Sequence, residues 1–158
     1  MPSNKSRLYI ALYPSGVVNN EERKYHWGFL IGPKAESKDV IPGAQIPLEN
    51  VRTTNSLLAR ILVAKIEDEQ RLIALFRLLP VVQGDSNWRC RTWVASALAE
   101  IAKDGKCVGT AELNWQKIES FARQYVGDKT ASGRYQSVAD ILKPKPTWDM
   151  LENKESVP

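Results

Sequence analysis

The sequence predicts an α+β domain, an antiparallel sheet of about four strands with three helices packed on it. Segments with period-two alternation and β-branched or aromatic residues gather in the first half, around "RLYIALYP" and "KYHWGFLIGP". Segments with helical periodicity follow, around "EDEQRLIALFRLLP", "WRCRTWVASALAEIAK" and "NWQKIESFARQYV". Strands first and helices afterwards place the helices together on one face of the sheet.

Residues 7–14 alternate cleanly and read as the first strand. "SGVVNNEER" is a polar loop with turn residues. Residues 24–33 form the second strand, closed by Gly32-Pro33, and can pair with the first as a long-looped hairpin. "AQIPLENVR", residues 44–52, is a weaker strand whose Pro47 suits an edge. "LLARILVAKI" suits helix or strand by periodicity; Ile61, Val63 and Ile66 decide for a strand over about 58–66.

The helix over 67–80 has acidic residues in its first turn and Arg77 in its last, as the helix dipole prefers. Leu72, Leu75, Phe76 and Leu79 form its apolar stripe, and Pro80 stops it. The next spans 88–103, with Trp93, Val94, Ala97, Leu98 and Ile101 on one face and Gly105 just past its end. The last runs over 115–129, with Asn114 as N-cap and Trp115, Ile118, Phe121, Ala122 and Tyr125 as its buried stripe. The tail, 143–158, is rich in proline and lysine, and Trp148, Met150 and Leu151 suit packing back on the body. The whole chain, 1–158, reads as one domain.

Hydrophobic residues are 43% and charged residues 25% of the chain, a globular composition. No apolar run approaches the ~20 residues that span a bilayer, and Arg60 and Lys65 interrupt the longest. No apolar leader opens the chain, and two cysteines give no disulfide framework, so a reducing, cytosolic location is expected. The net charge of +4 is spread among alternating acids and bases. That pattern argues against a nucleic-acid module, which concentrates its basic residues. One histidine and two separated cysteines make no zinc site, and no phosphate or dinucleotide loop is present, so no metal and no cofactor are expected.

Cys90 and His26 carry the chemical interest. Cys90 starts a helix after the turn-forming Asp85, Ser86 and Asn87, and Arg89 and Arg91 flank it. A helix N-terminus and nearby guanidinium groups favour the thiolate, the form that attacks carbonyls. The bland alternative is a cysteine buried in a core helix. Cys107, in "KDGKCVG", reads as a packing residue. His26 lies in a strand that puts Tyr25, Trp27 and Phe29 on one face and His26, Gly28 and Leu30 on the other. It is the candidate general base. Trp27, Trp88 and Arg89 flank the pair in sequence and suit the wall of a pocket for an acyl or peptide-like substrate; plain core packing is the alternative.

"HWGFLIG" followed later by "NWRCRTWV" resembles the circularly permuted papain-like cysteine fold, with its lecithin:retinol acyltransferase-like and PPPDE-type relatives. The resemblance implies a histidine on an early strand and a nucleophilic cysteine opening a later helix. It implies Gln83 as an oxyanion donor and a polar partner for His26 on the following strand, Gln45 first and Asn50 second. More of the chain, "RLYIALY", "YHWGFLIGPK", "PVVQGD", "WRCRTWV" and "PTWDMLENKESVP", resembles a family of small uncharacterised proteins of filamentous fungi, which implies no activity.

The function expected is that of a thiol hydrolase or acyltransferase: Cys90 attacks an amide, ester or thioester, and His26 moves the proton. The alternative is a binding or interaction protein that uses the same frame without catalysis.

Overall fold

β1 (Arg7–Pro14) is buried along its whole length except at Pro14. A strand buried on both faces belongs inside a sheet that is covered on both, and β1 sits between two partners. The computed structural model describes residues 6–14, 24–32, 57–79 and 90–158. On one side β1 pairs antiparallel with β2 (Tyr25–Gly32), and on the other with β3 (Ala59–Ile66). The expected strand over 44–52 lies outside the described residues.

β3 divides its far edge between two strands. Its first half pairs in parallel with β5 (Thr147–Asp149), and its second half pairs antiparallel with β4 (Val108–Ala111). A bulge against β1, where Tyr9 lies opposite Leu62 and Leu8 opposite Ala64, separates the two halves. The extra residue restores Ala64 and Ile66 to the face of Ile61 and Val63. β6 (Lys154–Val157) completes the order β2-β1-β3-β5-β6 as the antiparallel partner of β5.

Four helices complete the described architecture: α1 (Glu69–Leu78), α2 (Cys90–Asp104), α3 (Trp115–Ala131) and the short α4 (Val138–Leu142). Asp68 caps α1 by accepting from the Arg71 amide at 3.0 Å, and Asn114 caps α3 through the Lys117 amide at 3.1 Å. α1 ends at Leu79, whose extended backbone is what a following proline imposes. Gly105 ends α2 at φ 71°, a left-handed conformation that only glycine adopts freely.

The expected four-stranded antiparallel sheet with three helices, and with it the permuted papain-like architecture, is therefore corrected. Among the described residues the sheet is six-stranded and mixed, and four helices accompany it. The missed strands are short, β4 falls between two helices, and β5 and β6 follow the last one, with β5 preceded by "KPKP", which hides it from pattern reading. The tail is an integral part of the sheet. Trp148 of β5 packs on Phe121 and Tyr125 of α3 at ring separations of 5.0 and 6.0 Å. The Tyr125 hydroxyl donates to Glu155 of β6 at 2.5 Å, and Lys129 pairs with the same carboxylate at 2.7 Å.

α1, α2 and α3 pack on one face of the sheet. Leu72, Val94, Leu98, Ile101, Ile118, Ala122 and Val126 meet Leu8, Ile10, Leu12, Ile61 and Val63 there. Phe29, Phe76 and Trp93 join β2, α1 and α2 in one aromatic cluster. The other face holds a second buried cluster of Tyr9, Ala11, Tyr13, Leu30, Leu57 and Leu62, with Leu151 packed against it.

Candidate functional site

The expected general base lies on the side of the sheet away from the helices. Tyr25, Trp27 and Phe29 of β2 turn toward the helices. Strand alternation therefore sends His26 the other way, where its ring lies 6.0 Å from that of Tyr13, its cross-strand partner. Cys90 opens α2 as the sequence predicts, and α2 packs on the helix face. β2 thus presents His26 on the face opposite the helix that Cys90 begins. His26 is exposed.

The surroundings of α2 also differ from expectation. Arg91, read as one of two cations favouring a thiolate, is ion-paired with Glu119 of α3 at 3.1 Å. Glu119 bonds Arg123 as well, at 3.0 Å, and the Arg123 guanidinium lies 5.4 Å from the centre of the Trp27 ring. Trp27 is 2% exposed and stacks edge-on against Trp115 at 5.1 Å within the core of the helix face. Gln45, Asn50, Gln83, Trp88 and Arg89 lie outside the described residues. Cys107 is the packing residue that the sequence suggests: it is fully buried, and burial pushes its thiol up to about 11.

Arg60 is the functional candidate that sequence reasoning passed over. It stands near the start of β3, on the face opposite the helices, opposite Ala11 of β1 and Thr147 of β5. It is only 5% exposed. Its Nε donates to Thr147 Oγ1 at 3.1 Å, and its guanidinium carbon lies 4.6 Å from the centre of the Tyr9 ring. Thr147 in turn donates to the Lys145 carbonyl at 3.0 Å, which fixes the hydroxyl that holds Nε. Among the described residues no carboxylate pairs with Arg60. Burial pulls its pKa down, and the nearby Tyr9 hydroxyl opposes that shift.

The register arranges the neighbours in rows across the sheet. Gly28, Ala11, Arg60 and Thr147 form one row, so Arg60 rises among small side chains. Leu30, Tyr9, Leu62 and Asp149 form the next. Asp149 is 2% exposed, and its Oδ1 accepts from the amides of Leu151 and Glu152 at 2.8 and 3.0 Å, which closes the turn between β5 and β6. Burial falls toward the β2 edge: Ala11 is fully buried, Gly28 is half-buried and His26 is exposed. A signal for this site was present in "LLARILVAKI", where one arginine interrupts an apolar strand. A charge in such a strand either reaches solvent at an edge or is buried for a reason.

A groove of about 610 Å³ lies between α1 and α2. Leu75, Leu78 and Leu79 form its apolar wall, and the Arg71–Asp104 ion pair closes one end. No group of three or more metal-ligating side chains occurs among the described residues, and no described helix is long and apolar enough to cross a membrane.

Fold and site together define an α+β protein with helices on one face of a mixed sheet and, on the other, a buried arginine with no carboxylate partner among the described residues. The chain belongs to a family of unknown function, DUF6914, whose profile matches residues 5–51 and 44–157. No curated protein and no solved structure matches it.

Proposed function

We propose that the protein binds a small anionic ligand at Arg60, on the face of the sheet opposite the helices. The observation that carries this reading is an arginine only 5% exposed, whose guanidinium has one hydrogen bond, one ring face and no described carboxylate. Removing a cation from water costs several kcal/mol after relaxation. A cation–π contact and one hydrogen bond recover about 1–3 kcal/mol together. A ligand that brings a negative charge offsets the remainder, so the site is costly empty and favourable when filled. Arg60→Met tests this in ligand-free protein. Equilibrium unfolding in urea is expected to show stability unchanged or raised by about 1–4 kcal/mol. A loss above about 2 kcal/mol makes Arg60 a structural residue and overturns the reading.

The position of Cys90 favours a second reading, acyl transfer by a Cys90 thiolate at the positive end of α2. It requires a base other than His26, given the face on which β2 presents that ring. Iodoacetamide at neutral pH is then expected to label Cys90 well before the buried Cys107, Cys90→Ala to abolish ester hydrolysis, and His26→Ala to leave it intact. Equal labelling of the two cysteines removes this reading.

A further inference from the structure

We propose that the groove between α1 and α2 is an interface with a second copy of this chain, in which two molecules meet about a twofold axis and each lays its Leu78 against the leucine wall of the other. The surface lies on the helix side, apart from Arg60 on the opposite face of the sheet.

α1 carries more apolar surface than the core takes up. Leu72 is its buried residue, and Ile73, Leu75 and Phe76 are half-buried against the core. Leu78 is 85% exposed, although it stands one turn beyond Ala74 and Leu75 on the same side of the helix. With the half-buried Leu79 these residues wall one side of the groove of about 610 Å³, and the last turns of α2 wall the other. Ala74, exposed between them, has no long side chain to fill the space. A single exposed leucine is ordinary on a protein surface. One at the lip of an apolar groove is a knob beside a hole, and a twofold axis brings the knob of each copy to the hole of the other.

The charges select the occupant. Arg71 and Asp104 neutralise each other at 2.7 Å, so that end of the groove needs no charge from a partner. Glu100 and Lys103 are both exposed and stand one turn apart on α2. A twofold axis that crosses α2 between them runs the two copies of the helix antiparallel. It sets Glu100 of each copy opposite Lys103 of the other, so both acids and both bases are matched at once. A partner of one sign would match one of the two and repel the other. A contact of this kind uses the same patch twice and closes at two copies.

The test is sedimentation velocity of the full chain over a concentration series. A reversible monomer–dimer equilibrium is expected. Leu78→Lys changes an exposed position and is expected to raise the dimer dissociation constant at least about tenfold, with the circular dichroism spectrum kept. Glu100→Lys and Lys103→Glu, each alone, set like charges across the axis, and each is expected to weaken self-association about tenfold. Mixed in equal amounts, these two variants offer two lysines on one copy and two glutamates on the other. They are expected to form a heterodimer, which Leu78→Lys in either copy weakens. A monomer at every concentration up to about 1 mM overturns the proposal, whether a helix of another protein or solvent then fills the groove. A dimer whose dissociation constant is unchanged in all three variants forms through another surface and overturns it too. A dimer weakened by Leu78→Lys but indifferent to both charge variants overturns the twofold arrangement.

Discussion

The two faces of the sheet are built from different chemistry although they share the same strands. On the helix side the strands present Leu8, Ile10, Leu12, Ile61 and Val63, and three helices answer with leucine, isoleucine, valine and aromatic rings. On the other side the same strands present Tyr9, Tyr13, Arg60, Thr147 and Asp149, all at most 8% exposed. Burial alone therefore does not distinguish the faces. The difference lies in what burial costs. The first face gains free energy from every side chain it removes from water, at about 25 cal/mol per Å² of apolar surface. The second spends part of that gain on polar groups that a pure core has no use for.

The comparison is broken most directly on the helix side. Leu98 is fully buried in the middle of α2. Leu98→Ala removes its contacts with the sheet and leaves a cavity, and is expected to cost about 2–5 kcal/mol in urea unfolding. A cost below 1 kcal/mol, against that range, means α2 does not pack as described. On the second face Thr147→Val is expected to cost about 1–3 kcal/mol, because it strands the Arg60 Nε without an acceptor. In an Arg60→Met background the same change is expected to cost much less, since no guanidinium is left to strand. A double-mutant cycle measures that coupling directly; equal costs in the two backgrounds mean that Thr147 does not serve Arg60.

The helix face was the more legible in the sequence. Helical stripes such as Val94, Ala97, Leu98 and Ile101 declare themselves by spacing, and all four are fully buried. The alternation in "KYHWGFLIG" likewise divides Trp27 from His26, and the structure keeps that division. What alternation cannot give is which face of the strand a distant helix covers. The spacing of Cys90 and His26 along the chain therefore does not tell that β2 turns Trp27 and Phe29, and not His26, toward the helix that Cys90 begins. β4 and β5 were hidden for a related reason. At four and three residues they are too short for a pattern, and their pairing is set by β3, which lies far away in the chain. Arg60 was visible, but its meaning was not. Only the pairing of β3 with β5 brings Thr147 to its Nε.

Smaller effects sharpen the comparison further. Asn114 sets where α3 begins, and so where Trp115 meets Trp27 on the helix side. Asn114→Ala leaves the Lys117 amide without its cap and is expected to cost about 1 kcal/mol, measured by urea unfolding. Asn114→Asp should recover most of the loss, because a carboxylate also accepts from that amide and suits the positive end of the helix. Failure of the aspartate to recover it would mean the residue acts through something other than the cap.

The smallest effect is expected at the rim of the helix side, where it depends on pH. Asp104 takes two bonds from the Arg71 Nε at 2.9 Å and accepts from the amides of Lys106 and Cys107. The Arg71 bond, more than the backbone amides, holds its carboxyl well below the ordinary value of 3.8. A carboxyl that is more acidic folded than unfolded contributes stability above its unfolded value, and that contribution is lost as pH falls from there through the folded value. The melting temperature is therefore expected to decline on acidification below pH 4, a window set by that ordinary value of 3.8. Asp104→Asn should make the decline shallower and lower stability slightly at neutral pH. The pair sits at the surface, so added salt should shrink the difference between the two proteins. Acid limbs of equal slope would show that Arg71 and Asp104 are neighbours without a shared energy, and that the α1–α2 rim is held by the leucines beneath it alone.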